Sequence, residues 1–288
     1  MRPGLVFEDY VKLTEPGINV LVMLTGFVGM WSASRGLPHD KWGILWGLLG
    51  LWLASAGSSV FNNYYDRDID RLMLRTSARP MPAGRISPGS ALVFGAVLSC
   101  LSFAVLATFV NMLSAVLSVL SIFLYAYVYT VLLKRHTPYA TEVGGIAGAM
   151  PPVIGWAVVR GDVGLGAILL FAIMLLWQPP HFWALASKYK DDYKKAGIPV
   201  MPLKRSDRET NVRSMAYVAA LVFSSLIPYY VHMAGRLYLI AALAAGLFYF
   251  ALYVKVLFLR QDLNRQLFLY SIVYLTFSFI ALAIDVKV

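Results

Sequence analysis

The sequence predicts an all-α, polytopic membrane protein, because its apolar residues are abundant and fall in long uninterrupted blocks. Of the 288 residues, 59% are hydrophobic and 14% are charged, and the mean hydropathy is +0.66. A soluble domain of this length does not need so much apolar surface, since one core stops growing at about 250–300 residues. Each block runs for roughly 17–24 residues, about the length of a helix that crosses a ~30 Å hydrocarbon layer.

Nine such blocks predict about nine transmembrane helices in one intramembrane bundle, around a cavity open to the cytoplasmic side. We expect the whole chain, residues 1–288, to form this single domain. Strands are excluded because a barrel strand alternates in polarity and spans only about ten residues. The nine blocks are residues 18–34, 42–61, 91–109, 112–133, 143–159, 163–186, 215–234, 237–259 and 267–284.

The net charge of +10 indicates a lipid bilayer as the partner and argues against nucleic acid, because the charge follows the predicted topology. With a cytoplasmic N-terminus, 20 of the 25 Lys and Arg residues fall on the cytoplasmic side and 5 on the other. This asymmetry obeys the positive-inside rule and supports both the helix count and the orientation. The five outer residues are Arg35, Lys41, Arg160, Arg236 and Lys287.

Compartment signals point to a prokaryotic plasma membrane. Cys100 is the one cysteine, so no disulfide within the chain and no cysteine-based metal site can form. Glu8, Asp9 and Lys12 precede the first apolar block, and no small-residue cleavage site follows a short one, so we expect no cleavable signal.

A first polar segment begins where the second helix ends. Asn62, Asp66 and Asp70 are spaced by four, so on a continuing helix they lie within an ~80° arc, about 6 Å apart along the axis. Carboxylates and an amide in such a column suit Mg²⁺, which takes hard oxygen ligands and often shares them with phosphate. The alternative is a solvated helix end, and we adopt it for Asp68, which faces away and is expected to pair with Arg71.

Arginines follow these acids closely, at positions 71, 75, 79 and 85, and Pro80 and Pro82 are expected to end the helix. A guanidinium grips phosphate oxygens in a fork, so acids that hold a metal beside arginines describe a diphosphate site. Arginines at a cytoplasmic helix end also satisfy the positive-inside rule. For each arginine taken alone, that rule is the simpler explanation.

A second polar segment, residues 177–193, reads WQPPHFWALASKYKDDY. Its two prolines are expected to break the helix, which restarts so that His181, Lys188 and Asp192 lie within a ~40° arc, with Asp192 about 16 Å beyond His181. The plainer reading of His181 is a structural histidine bonded to a neighbouring helix. The two polar segments lie four helices apart in the chain, which suggests two half-sites that face each other.

These segments resemble the UbiA-type intramembrane prenyltransferase superfamily. Residues 62–84, NNYYDRDIDRLMLRTSARPMPAG, resemble its first aspartate motif, an N-x-x-x-D-x-x-x-D core followed by R-T-x-x-R-P. Residues 129–135, YTVLLKR, resemble its Y-T-x-x-x-K-R segment. Residues 144–155, GGIAGAMPPVIG, and the W-Q-x-P-H-F element at 177–182 resemble the branch that prenylates haem. Similarity covers about residues 10–280.

One position departs from the family pattern. The family usually begins its first helix with K-P-R, whereas this chain has Glu15-Pro16-Gly17. A cationic contact to an anionic substrate is therefore expected to be absent or supplied elsewhere.

The resemblance implies transfer of a farnesyl group from farnesyl diphosphate to a vinyl group of haem b, with a downstream haem-modifying enzyme or oxidase assembly factor as a possible partner. It implies Mg²⁺ as cofactor, held by Asp66 and Asp70. His181 is expected to act as a haem ligand, a base or an orienting donor, and Asp192 to complete a second metal site or to bind Lys188. The other expected site residues are Asn62, Arg71, Arg75, Arg79, Tyr129, Lys134, Arg135 and Lys188.

Two other functions stay open at this stage. A sister enzyme that prenylates a small aromatic acid, such as 4-hydroxybenzoate or a naphthoate, would share the first motif and differ in the His181 segment. A transporter would use acids and prolines within helices for coupling. The acids here cluster at one face of the membrane instead of the midplane, which favours the enzyme.

Overall fold

A computed structural model describes residues 3–259 and 262–287, with side chains from residue 7 onward. Arg2 and Arg260, both counted on the cytoplasmic side above, lie outside the described residues. The described helices run in chain order as follows: α1 Pro3–Leu13, α2 Pro16–Ala33, α3 Lys41–Asp70, α4 Pro88–Phe109, α5 Met112–Phe123 with a π-helical extension Leu124–Leu133, α6 Ala140–Gly148, α7 Met150–Arg160, α8 Leu165–Lys188, α9 Lys190–Lys195, α10 Met201–Lys204, α11 Asp207–Tyr230, α12 Arg236–Phe258 and α13 Asn264–Ile284.

The predicted all-α membrane fold is confirmed. In the described part of the chain, nine helical stretches are long and apolar enough to cross a bilayer, and each coincides with one predicted block. The pairs α5 with its π-helical extension and α6 with α7 each form one such stretch. We call the end of the bundle where α3 ends and α2 begins the carboxylate end, since Asp66 and Asp70 lie there.

The π-helical extension of α5 was not predicted. Its Lys134 N–H donates to the carbonyl of Tyr129, five residues back, and the Thr130 hydroxyl donates to the carbonyl of Tyr125. A π-helix rotates the following residues relative to an α-helix and is frequent at functional sites. Here it ends at Lys134, at the carboxylate end.

The predicted helix break at Pro179 and Pro180 is wrong. Helix α8 runs through both prolines and ends at Lys188, and the interruption comes at Tyr189 instead. Neighbouring helices pack against the proline turn: the Gln178 amide donates to the Gly145 carbonyl of α6 at 2.7 Å, and the Tyr253 hydroxyl of α12 donates to the Pro180 carbonyl at 3.3 Å. Membrane helices tolerate proline where neighbouring helices surround it.

Helices α2 and α7 approach so closely that glycine is required at the contact. A Cβ at Gly29 would lie 2.2 Å from the Pro152 carbonyl oxygen, and a Cβ at Gly155 would lie 2.0 Å from the Gly26 carbonyl oxygen. Small residues commonly let backbones meet in this way in membranes. The contact holds α2, the first membrane-spanning helix, against α7.

We therefore expect Gly29→Ala to lower the unfolding temperature in detergent, with a loss of about 1–3 kcal/mol from overpacking. Gly17→Ala, in the first turn of the same helix, is the matched control because nothing lies within 4 Å of its added Cβ. Equal unfolding temperatures for the two variants would contradict the close contact.

Candidate active site

Asp66 is fully buried, and its carboxylate is held by residues from two elements. Its Oδ2 accepts from the Asn62 amide at 2.9 Å and from the Lys134 ammonium. Burial lowers the pKa of Lys134, but the adjacent Asp66 carboxylate outweighs it and holds the pKa above its ordinary value. A second Asn62 bond, to the Thr130 hydroxyl at 3.1 Å, ties α3 to the π-helix.

Asp70 lies one turn further along α3 and is 3% exposed. It belongs to an ion-pair network of three residues. Arg79 Nη1 donates to Asp70 Oδ2 at 3.0 Å, and Arg79 Nη2 donates to Glu15 Oε1 at 2.5 Å. Burial lowers the pKa of Arg79, and the two carboxylates more than offset this, so that the pKa lies above its ordinary value. The guanidinium is thus shared between an expected site residue and the unexpected Glu15.

Glu15 is positioned by the joint between α1 and α2. Its backbone is left-handed, with φ 51°, and Pro16 begins the next helix. The Asn19 amide donates to the Thr14 carbonyl at 3.0 Å and its oxygen accepts from the Ser55 hydroxyl, which fixes the joint against α3. The departure from K-P-R thus places a carboxylate where the family pattern has a cation.

Asp68 faces away from the column, as expected, but its predicted partner is wrong. It accepts both ends of the Arg135 guanidinium, at 2.7 and 2.8 Å, and is 62% exposed. Arg135 Nη2 also lies 4.0 Å from Asp66 Oδ1. Arg71 is exposed and donates to the Pro82 carbonyl, so the structure does not bring it to the carboxylates, and its expected role in substrate binding stays a prediction.

The two polar segments meet, because Asp192 of α9 contacts the loop after α3. Its Oδ2 accepts from the Arg75 main-chain N–H at 3.3 Å, and the Arg75 guanidinium donates to the Tyr193 hydroxyl at 3.4 Å. Asp192 is 7% exposed. Lys188 is exposed, with its ammonium 4.9 Å from the Tyr189 ring centre, so the expected Lys188–Asp192 pair is wrong. The break at Tyr189 removes the shared arc on which it rested.

Tyr129 lies on the π-helix, next to the second polar segment. Its ring stacks on Tyr125 at 5.6 Å, and a Cβ at Gly144 would lie 2.2 Å from it, which explains the glycine at position 144 of α6. A crevice of about 10 Å³ is lined by Tyr129 and Lys134 on one side and by Phe182 and Tyr193 on the other. This space holds about one water, so the crevice itself has no room for a substrate.

His181 occupies an aromatic sandwich between α8 and α13. Its ring stacks on Trp177 at 4.3 Å and on Phe268 at 4.8 Å. Nδ1 lies 2.6 Å from the Ser271 hydroxyl, which itself donates to the Phe268 carbonyl at 2.6 Å. Ser271 therefore accepts from Nδ1–H, and the lone pair of the imidazole is on Nε2, which has no hydrogen-bond partner among the described residues.

The α3 carboxylates suit a hard divalent ion. Asp66 Oδ1 is buried without a hydrogen-bond partner in the described part of the chain, and an orphaned carboxylate oxygen at the end of a membrane helix is costly. Within that part no three His, Cys, Asp or Glu residues already converge on one point. The donor set thus fits an ion that takes one or two carboxylates and completes its shell with phosphate and water.

Sequence reasoning missed Glu15 as the partner of Arg79 and Thr130 as the partner of Asn62. The E-P-G departure was the available signal for Glu15. Thr130 lies in the Y-T-x-x-x-K-R segment, and the helical phase that turns it toward Asn62 depends on the π-helix.

Comparison with known sequences identifies the family. A model described as the UbiA prenyltransferase family matches residues 22–280. The protoheme IX farnesyltransferase of Aquifex aeolicus is 45% identical, over 97% of this chain and 96% of its own length. The enzymes of that name from Symbiobacterium thermophilum and Synechocystis sp. are 40% and 45% identical, over 99% and 98% of this chain and 96% and 90% of their own.

Solved structures share the fold at low sequence identity. A structure of digeranylgeranylglyceryl phosphate synthase superposes with a TM-score of 0.81 at 20% identity, covering 97% of this chain and 98% of its own. A UbiA homologue from Aeropyrum pernix gives 0.74 at 19% identity, covering 92% and 97%. One from Archaeoglobus fulgidus, bound to DMAPP and Mg²⁺, gives 0.64 at 20% identity, covering 96% and 99%. With its family match and nearly full-length relatives, this chain belongs to the UbiA prenyltransferase family.

Proposed function

We propose that the chain transfers a farnesyl group from farnesyl diphosphate to a vinyl group of protohaem IX, the haem b of the cell, with addition of water to give haem O. The observation that carries this proposal is the likeness, at 40–45% identity over nearly the whole chain, to relatives named protoheme IX farnesyltransferase. The quinone-pathway alternative has no comparable support.

The donor half lies around Asp66 and Asp70. Lys134 and Arg79 are charged and already lie against these carboxylates, so they can turn to diphosphate oxygens as the donor binds. Guanidinium and ammonium groups stabilise the negative charge that a departing diphosphate carries, when they are fixed in advance. Arg75, next to Tyr193, and Arg135, next to Asp68, add two more cations near these carboxylates.

Mg²⁺ is the metal we assign to this half, with Asp66 and Asp70 as its protein ligands and Asn62 supporting Asp66. The bound ion would supply neutralisation of the diphosphate and a template for its oxygens. A structure of an Archaeoglobus fulgidus homologue bound to GPP and Mg²⁺ supports the same chemistry in the family.

The acceptor half lies around His181. Ser271 orients the ring, and Trp177 and Phe268 enclose it, so the free Nε2 is a neutral donor of an electron pair. Such a group suits haem iron. Stacked aromatic rings also favour a flat apolar macrocycle and screen an allylic cation from water.

The cellular location and the membrane orientation are part of the same proposal. We infer a plasma-membrane enzyme with a cytoplasmic N-terminus, whose donor and acceptor both enter from the bilayer or its cytoplasmic surface. Its product would pass to a haem-modifying enzyme or an oxidase assembly factor. The charge asymmetry of the chain supports this orientation.

The function is tested with the purified chain, haem b, Mg²⁺ and labelled farnesyl diphosphate. We expect one product, heavier than haem b by one farnesyl group and one hydroxyl group in mass spectrometry, with diphosphate and a proton released. Label that appears only on 4-hydroxybenzoate or a naphthoate offered in parallel would contradict the proposal.

Asp66→Asn should reduce turnover by about 100-fold or more, since a ligand of the Mg²⁺ that neutralises the leaving diphosphate is lost. The matched control is Asp68→Asn on the same helix, where loss of an exposed pair costs about 0.5 kcal/mol of stability and leaves turnover within about twofold. Steady-state kinetics and thermal unfolding are measured for both variants. Near-normal turnover of Asp66→Asn, or collapse of a stably folded Asp68→Asn, would contradict the assignment.

Glu15→Gln should lower KM for farnesyl diphosphate by about threefold to tenfold with kcat little changed, because diphosphate no longer competes with a carboxylate for Arg79. Glu8→Gln, which removes a carboxylate from an exposed pair with Lys12, is the control and should change nothing. A raised KM would show instead that Glu15 is needed to position Arg79.

His181→Ala should weaken haem binding by tenfold or more, while affinity for a non-hydrolysable farnesyl diphosphate analogue stays within about twofold. Ser271→Ala should weaken haem binding by about tenfold, because Nδ1–H loses the acceptor that orients the ring. Haem absorbance titration measures the first affinity and calorimetry the second. Loss of analogue binding with intact haem binding would move His181 to the donor half.

A further inference from the structure

The end of the bundle opposite the carboxylates contains a cavity of about 270 Å³. It lies where α2 ends and α8 begins, beside the turn between α11 and α12 and the end of α13. Helix α2 alone separates it from Glu15 by about 27 Å, since an α-helix rises about 1.5 Å per residue. The cavity is therefore remote from the proposed farnesyl transfer.

Positive charge converges on this cavity. Three of the five cations assigned above to the outer face line it, namely Arg35, Arg160 and Lys287, and His232 lies beside them. Asp162 is the acid in the lining, and it is engaged by the Trp156 indole N–H at 3.0 Å and by Arg160 at 3.7 Å. Arg35 forms no ion pair within the described residues. The lining thus has an excess of positive charge.

Two lining residues are held in left-handed backbone conformations. Arg35 has φ 56° and His232 has φ 60°, and a side chain in this region costs of order 1 kcal/mol or more. The surrounding fold maintains the turn at His232: the Gly235 N–H donates to the Asp285 carbonyl at 2.8 Å, and Ala234 pairs with Val286 in an antiparallel bridge. Both residues terminate helices, α2 and α11, as left-handed residues commonly do, and the two turns place Arg35 and His232 in the cavity wall.

Ser32 supplies an independent indication of a ligand. It lines the same cavity, is 3% exposed, and its hydroxyl has no hydrogen-bond partner among the described residues. Nearly all buried polar atoms are satisfied in folded proteins, so this hydroxyl, buried next to a cationic cavity, is a donor without an acceptor among the described residues.

We propose that this cavity binds a phosphate group, and that an anionic phospholipid of the outer leaflet supplies it. Arg35 and Lys287 would offset the charge, and Ser32 would donate to a phosphate oxygen. A volume of about 270 Å³, against about 30 Å³ for a water in the liquid, accommodates a phosphate ester.

The apolar rim favours a lipid over free phosphate. Leu165 is 58% exposed and Val231 39% exposed at the edge of the cavity, where acyl chains would cover them. Basic pockets between transmembrane helices bind lipid headgroups by this combination of charge and apolar surface.

The test compares the unfolding temperature of the full chain in neutral detergent with added phosphatidylglycerol, with phosphatidylcholine of the same acyl chains, or with inorganic phosphate. Phosphatidylglycerol should raise the unfolding temperature of the wild-type chain by several degrees more than phosphatidylcholine. Arg35→Asn/Lys287→Gln should lose at least half of that difference. Asparagine is chosen because it tolerates the left-handed backbone of position 35.

The control variant, Lys41→Gln/Arg236→Gln, removes two cations from the same end of the bundle that do not line the cavity. It should keep the full phosphatidylglycerol shift. An undiminished shift in Arg35→Asn/Lys287→Gln, or an equal loss in the control, would overturn the site. A full shift with inorganic phosphate alone would retain the phosphate site and overturn the lipid as its source.

Discussion

The buried carboxylate of Asp66 is the constraint around which the carboxylate end is organised. A charge at 0% exposure is stable only when paired, and the pair here links α3 to the end of the π-helix through Lys134. The Asn62 bond to Thr130 depends on the same alignment. Because Asp66 Oδ1 is left without a hydrogen bond among the described residues, the arrangement is paired but incomplete.

A second set of ion pairs, formed by Arg79, lies on the side of the site that faces α1 and α2. Arg79 bridges Asp70 and Glu15, and so ties the loop after α3 to the joint between α1 and α2, while Asp192 holds the same loop through Arg75. The crevice between the π-helix and the second polar segment has room for about one water. In the proposed function, diphosphate binding exchanges these internal partners and opens the crevice, and the cations that it needs already lie beside the carboxylates.

Much of this could be predicted from local patterns. Apolar block length predicts all nine spans, and the four-residue spacing predicts that Asp66 and Asp70 share a face and Asp68 does not. Contacts between distant segments could not be predicted, which is why Arg135 was missed as the partner of Asp68. The continuity of α8 through Pro179 and Pro180 was missed for the same reason, since contacts from α6 and α12 support it.

We propose that the Asp66 and Asp70 carboxylates, now held by Lys134 and Arg79, bind a diphosphate through a divalent ion. The most direct measurement is calorimetric titration of the wild-type, haem-free chain with a non-hydrolysable farnesyl diphosphate analogue, with Mg²⁺ and with chelator. We expect the analogue to bind at least about tenfold more tightly with Mg²⁺ than with chelator, a difference of about 1.4 kcal/mol. Equal affinity with and without the metal would contradict this proposal.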